Sequence, residues 1–71
     1  MKIRYDRRVD AAYIHLKEEP GQVTTVRLTD DIAVDFGPGE EVVGIEILSA
    51  SKQLGIDPQK PSVQLINISA A

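Results

Sequence analysis

The feature that most constrains this chain is a two-residue alternation of apolar and polar side chains, repeated in five short segments. An extended strand places successive side chains on opposite faces, so this alternation predicts half-buried strands. Turn-forming residues such as Gly37-Pro38-Gly39 separate the segments. The sequence therefore predicts a mainly β fold, a five-stranded antiparallel meander. The five segments span residues 2–5, 12–17, 23–28, 32–36 and 42–47.

Matching the apolar faces of neighbouring strands also predicts their register, because a slip of one residue would turn each apolar side chain toward solvent. In the first hairpin we expect Tyr5 to lie opposite Ala12. In the last hairpin we expect Phe36 to lie opposite Val43. Gly44 interrupts the last strand, and a glycine there is typical of a bulge or of the close approach of a bulky neighbour, a second sheet or another subunit.

The period changes after the fifth segment. Ser49 can cap a helix, good helix formers follow it, and Gly55 is a typical terminator. We expect one short helix near residues 49–54. Residues 1–54 then form the folded domain, and residues 55–71 form a C-terminal tail that is a sixth strand, a cover for the sheet or an arm exchanged with another subunit.

Composition excludes several kinds of site. The 71 residues include no cysteine and one histidine, so a disulfide, a thiolate metal centre or a histidine-rich zinc site cannot form within one chain. The net charge of −3 disfavours nucleic acid as a partner. Neither a signal peptide nor a membrane-spanning run is evident, and we expect a cytoplasmic protein without a cofactor.

The sheet face predicted to be apolar is larger than the helix that would cover it. Six helical residues are about 9 Å long, whereas five strands span roughly 20 Å. Soluble proteins do not leave large apolar patches open, so we expect a homo-oligomer, most simply a dimer. The candidate association face consists of Val34, Phe36, Val43, Ile45 and Ile47.

Two motifs in order, YDRRVDAAYIHL and VVGIEILSASKQL, give the chain a resemblance to the domain of unknown function 2283 family of small prokaryotic proteins. The resemblance covers about residues 1–54 and leaves the tail outside. The family carries no established activity, cofactor or catalytic residue. The resemblance implies a small β-rich domain of the prokaryotic cytoplasm. Some similar proteins are encoded near small toxin-like proteins, which suggests an antitoxin-type role.

A candidate surface patch lies on the outward face of the first hairpin. Cations interleaved with aromatic rings can meet phosphates and stack bases. The alternative is a cross-strand cation–π pair on an ordinary sheet surface, with Arg4 opposite Tyr13. The members of this patch are Arg4, Tyr13, His15 and Lys17.

A candidate acidic pair, Asp35 and Glu46, lies on the same outward face of adjacent strands. Carboxylates about 7 Å apart can hold a divalent cation or divide acid and base roles. Alternatively, they are polar side chains that keep the outer face wet. We expect a non-enzymatic, self-associating structural or interaction module; the alternatives are an antitoxin-like regulator that binds a small protein or nucleic acid, and a metal-binding or hydrolytic domain using this pair.

Overall fold

The computed structural model describes residues 1–18 and 21–69 of the chain. Within these ranges the chain forms five strands, a 3-10 turn at Pro38–Glu40 and one short α-helix, which confirms the predicted mainly β fold with a helix near residues 49–54. The elements are β1 (Lys2–Asp6), β2 (Ala11–His15), β3 (Thr24–Arg27), β4 (Ile32–Phe36), β5 (Val42–Leu48) and α1 (Ala50–Leu54).

All strand pairs are antiparallel, but the order across the sheet is β1-β2-β5-β4-β3 and not the sequential order of a meander. β5 lies between β2 and β4, so strands β2 to β5 form a Greek key. β5 is the longest strand at 7 residues. A central position pairs its backbone on both sides, whereas the 4-residue β3, with two threonines and an arginine, takes an edge.

The predicted register is confirmed in the first hairpin, where Tyr5 lies opposite Ala12. In the last hairpin the predicted matching of apolar faces is confirmed where Val34 lies opposite Ile45 and Asp35 opposite Gly44, and it is wrong only at Phe36, which lies opposite Val42 and not Val43. A register shift between Asp35 and Phe36 causes the difference. It leaves an extra residue in β5, as in a β-bulge.

Helix α1 packs on the centre of the sheet through small side chains. The buried cluster at this contact consists of Ala12, Ile47 and Ala50, which are 3%, 4% and 0% exposed. Gly55 ends the helix with a left-handed φ of 69°, as expected from the sequence. Ser49 occupies the N-cap position but makes no side-chain capping hydrogen bond, so that part of the prediction is wrong.

Beyond α1, residues 55–69 form no helix or strand. The segment passes the apolar side of β1, where Ile56, Pro61 and Val63 line a cavity together with Met1 and Ile3. Further along, its aliphatic side chains are open to solvent. Within one chain, the described part of the tail is therefore not a sixth strand.

The molecule is broad and flat, with extents of 39 × 35 × 20 Å. Its radius of gyration of 13.6 Å exceeds the value of about 11 Å expected for a compact domain of this length. Its accessible surface of 5651 Å² likewise exceeds the roughly 4,400 Å² expected for a folded monomer of 7.8 kDa. One copy of the chain thus leaves an unusually large surface open.

Candidate functional site

The candidate surface patch lies along the polar side of the first hairpin, and three of its four members contact a neighbouring side chain. Arg4 lies opposite Tyr13 in the register, as predicted. The rings of Tyr13 and His15 meet edge to face, with centroids 4.4 Å apart and an interplanar angle of 72°. Lys17 Nζ lies 2.7 Å from Glu41 Oε2 and is neutralised by it. Of the two cations in this patch, Lys17 is therefore paired with an acid, and the two rings pack on each other.

The candidate acidic pair lies diagonally on adjacent strands, because Asp35 is opposite Gly44 and Glu46 is the residue two positions on. Both carboxylates already accept hydrogen bonds. Thr25 Oγ1 donates to Asp35 at 2.5 Å, and Arg27 Nη2 donates to Glu46 at 2.8 Å. The geometry therefore gives the two acids structural partners and no shared vacant site.

Asp35 also accepts a hydrogen bond from the Tyr13 hydroxyl, which crosses over β5 to reach it. The hydrogen bonds from Thr25 and Tyr13 lower the pKa of Asp35 below its usual value. The same contact raises the pKa of Tyr13 to about 12, because the phenol donates to a carboxylate and burial disfavours its ionised form. We call Tyr13, Thr25 and Asp35 the outer cluster.

Gly44 lies directly beneath the outer cluster. A methyl group at this position would overlap the hydroxyl and ring of Tyr13. The strand-interior glycine therefore accommodates a bulky neighbour, as its position in the sequence predicts.

A second cluster, which the sequence did not reveal, connects the β1–β2 turn to the start of α1. Tyr5 Oη and Ser51 Oγ each donate to a carboxylate oxygen of Asp10 at 2.7 Å. The backbone N–H of Ser51 donates to the same carboxylate at 3.0 Å, and the N–H of Ala50 donates to the Asp10 carbonyl at 2.8 Å. Asp10 thus caps the helix in place of Ser49. We call Tyr5, Asp10 and Ser51 the capping cluster.

The electrostatics of the capping cluster repeat those of the outer cluster. Hydrogen bonds from Ser51 and Tyr5 lower the pKa of Asp10, and the hydrogen bond to Asp10 raises the pKa of Tyr5 to about 12. Asp10 has a left-handed φ of 52°, which aspartate tolerates better than most residues. The motif YDRRVDA carries Tyr5 and Asp10, but nothing in it indicates that their partner is 41 residues downstream of Asp10.

All five residues of the candidate association face are at least partly covered within one chain. Val34, Val43 and Ile47 are already buried within the chain, and Phe36 and Ile45 are half-buried. The open apolar surface lies nearer to the β3 edge than the sequence predicts. Val26 is 43% exposed and Leu28, just beyond the end of β3, is 61% exposed. We call Val26, Leu28, Phe36 and Val42 the bare surface.

A shallow concavity beside the β1–β2 turn is lined by arginines, with Tyr13 and Glu46 at its side. Arg8 is engaged by Asp6, whose carboxylate oxygen lies 3.1 Å from Nη2. In residues 1–18 and 21–69, neither Arg4 nor Arg7 forms an ion pair. Two cations there are available to an anionic group.

Metal-ligating side chains do not gather in the described part of the chain, where no three histidine, cysteine or acidic groups are placed to hold an ion. The same residues include no helix with the length and hydrophobicity that a membrane span requires.

Comparison with known proteins identifies a match between residues 2–51 and a family model described as protein of unknown function (DUF2283). An uncharacterized protein of Methanocaldococcus jannaschii is 40% identical over 70 residues, or 99% of this chain. The chain spans 59% of the length of that relative. No solved structure matches the chain.

Proposed function

This chain belongs to the family of proteins of unknown function DUF2283, and because that description assigns no reaction, we propose a function from the geometry of the chain itself. The proposed function is that of a non-enzymatic interaction module that associates with a second copy through the bare surface. The observation that carries this proposal is that Val26 and Leu28 are exposed on the apolar face of the sheet.

The amount of open surface supports association. The chain exposes roughly 1,250 Å² more than a compact monomer of its mass (5651 Å² against about 4,400 Å²). A standard protein interface buries about 800 Å² on each partner, so a dimer of standard size covers roughly two thirds of this excess. Small domains without disulfides or metals commonly recruit a second subunit, and this chain contains no cysteine. The lack of cysteine is also compatible with the reducing cytoplasm that we propose as its location.

Sedimentation equilibrium of the full chain tests this function. We expect a dimer whose dissociation constant lies within a range of about 1 to 100 μM protein. Val26→Asp places a charge on the bare surface and is expected to raise the dissociation constant about tenfold or more. The matched control is Val9→Asp, because Val9 is 68% exposed in the β1–β2 turn, away from the bare surface.

A wild-type chain that remains monomeric throughout this range would contradict the proposed function. Circular dichroism of both variants distinguishes loss of association from loss of fold.

A second candidate function, an antitoxin-like regulator that binds a small protein or a nucleic acid, is favoured by Arg4 and Arg7 at the concavity. Titration of a fluorescent single-stranded oligonucleotide at low salt tests it. Binding should weaken with salt and with Arg4→Ala or Arg7→Ala. The variant Arg8→Ala is the control, because Arg8 is already paired with Asp6. An absence of binding at low salt would remove nucleic acid from consideration.

A further inference from the structure

The C-terminal segment 61–69 is an uncharged, aliphatic stretch that one copy of the chain leaves uncovered. Its sequence PSVQLINIS contains no ionisable side chain. Leu65 and Ile68 are each 93% exposed, and Ile66 is 71% exposed. Uncharged segments with high β-propensity associate readily when left open. We call residues 61–69 the arm.

The arm is apolar on both sides when extended. Val63 and Leu65 then point to one side, and Ile66 and Ile68 point to the other. A strand that is apolar on both sides is typical of a segment covered on both faces, whereas a strand on a wet surface alternates. The composition of the arm thus fits a place between two layers of protein.

The same chain presents a largely apolar surface at the far edge of its sheet. Thr24, Val26, Phe36 and Gly37 line a cavity on the apolar side of β3 and β4, and Glu40 is the charged residue of that lining. Five residues of an extended arm cover about 17 Å, which is enough to lie along the four residues of β3. The arm carries no charge, so the Glu40 carboxylate does not repel it.

The arm is poorly placed to cover this surface within its own chain. The arm begins beside β1, and β1 and β3 are the two opposite edges of the sheet. Four interstrand spacings separate these edges by about 19 Å, and residues 63–69 reach at most about 23 Å when extended, so a crossing would leave only about one residue to lie on the far edge. Helix α1 lies on β5, in the middle of that route. A second copy offers the surface without this crossing.

We propose that the arm of one copy packs against the bare surface of a second copy and that the second arm does the same in return. The exchange is isologous: each copy supplies one arm and one bare surface, so a twofold dimer closes and leaves no arm unpaired. The arms lie between the two sheets, which covers both of their apolar sides. This inference rests on the proposed self-association and specifies which segment completes the interface.

Charged substitutions in the arm of the full-length chain test the proposal. Leu65→Asp and Ile68→Asp are expected to raise the dimer dissociation constant tenfold or more, because each places a carboxylate in an apolar contact. Gln59→Asp is the matched control, because it adds the same charge at an exposed position just before the arm and leaves every aliphatic side chain in place. We expect it to change the dissociation constant less than about threefold.

Single cysteines identify where the arm binds, because the natural chain contains none. A Leu65→Cys chain mixed with a Val26→Cys chain should form a disulfide-linked heterodimer under mild oxidation. The control mixture pairs Leu65→Cys with Thr25→Cys, since residue 25 lies on the opposite face of β3 and should not cross-link. In the double variant Leu65→Cys/Val26→Cys, the disulfide should join two chains and should not join positions 26 and 65 of one chain.

The outcomes separate the two proposals. A dimer that keeps its wild-type dissociation constant in Leu65→Asp and Ile68→Asp overturns the arm exchange and leaves the proposed self-association intact. A disulfide within one chain also overturns the exchange, because it shows that the arm covers its own sheet. A wild-type chain that is monomeric overturns both.

Discussion

The two halves of the apolar sheet face differ in how completely one chain covers them. Over β2 and β5, helix α1 buries Ala12 and Ile47 almost completely. Over β3 and β4, Val26 and Leu28 remain about half open. The folded core and the surface proposed for association are therefore adjacent parts of one face, divided by the reach of a 5-residue helix.

The covered half depends on how the helix is attached to the sheet. The capping cluster joins the β1–β2 turn to the first turn of α1 through side-chain and backbone hydrogen bonds. The outer cluster joins β2, β3 and β4 on the opposite face through side chains alone. The two clusters share the same chemistry, a tyrosine and a hydroxyl residue around one aspartate, but only the first positions a helix.

The largest expected difference between the halves is in the free energy of unfolding lost when an aliphatic side chain is truncated to alanine. Ile47→Ala should lower the free energy of unfolding by about 2–5 kcal/mol, because it leaves a cavity under α1. Val26→Ala should cost less than about 1 kcal/mol in dilute protein, and more as protein concentration rises and the dimer forms. Urea denaturation at two protein concentrations measures both.

Since a domain of this size has only roughly 3–5 kcal/mol of stability, Ile47→Val provides a milder version with an expected cost of about 0.5–1.5 kcal/mol. Equal losses for Val26→Ala and Ile47→Ala in dilute protein would contradict the division into a covered half and a bare half.

Replacing Gly44, which lies on the face opposite α1, should give the next largest loss of stability. Gly44→Ala places a methyl group against Tyr13 and displaces it from Asp35. The expected cost is about 1–3 kcal/mol, as for overpacking in a core, and it exceeds the gain of about 0.5–1 kcal/mol that alanine brings to a strand.

A double-mutant cycle with Tyr13→Ala isolates the cause. The methyl group should be tolerated when the ring is gone, so the two losses should be less than additive. Additive losses would show that Gly44 is required for a reason other than the approach of Tyr13.

The parts of the fold predicted from sequence are those set by neighbouring residues. Alternation and turns sufficed for the first hairpin, including Tyr5 opposite Ala12. The pairing of β2 with β5 was not predictable in this way. The alternation of apolar and polar residues in each strand is the same whether the strands form a meander or a Greek key. The bulge at Phe36 escaped prediction because an extra residue in β5 leaves the apolar pattern intact.

The candidate residues followed the same rule. Sequence parity correctly placed Asp35 and Glu46 on one face, but their hydrogen-bond partners come from β2 and β3 and required the strand order. Ser49 carried the usual sequence signature of a cap, and Asp10, which does the capping, is 39 positions earlier in the chain. Contacts between distant segments were the part that local patterns did not contain.

Loss of the cap should affect the covered half and spare the bare half. In Asp10→Asn the side chain keeps one oxygen, so it cannot accept from Tyr5 and Ser51 through two carboxylate oxygens. We expect the melting temperature to fall by several degrees and the amide hydrogens of Ala50 and Ser51 to exchange faster. Exchange in β3 and β4 should be nearly unchanged. Equal acceleration in all strands would instead indicate global destabilisation.

The smallest expected effect is the dependence of stability on pH, because both clusters are close to solvent. The folded protein lowers the pKa of Asp10 and Asp35 below 3.8, so their contribution is present above that pH and is lost as pH falls through the lowered values. It raises the pKa of Tyr5 and Tyr13 from 10.0 to about 12, so their contribution is complete below pH 10 and is lost between 10 and 12.

Melting temperatures should therefore be constant between about pH 5 and 9 and should fall on both sides of that range. Tyr13→Phe should remove part of the alkaline loss, and Asp35→Asn should remove part of both losses, because the outer cluster needs a neutral phenol beside an ionised carboxylate. Tyr5→Phe tests the capping cluster in the same way. If Tyr5→Phe reduced the alkaline loss and Tyr13→Phe did not, only the capping cluster would couple tyrosine ionisation to folding. The two clusters would then share their geometry but not their effect on stability.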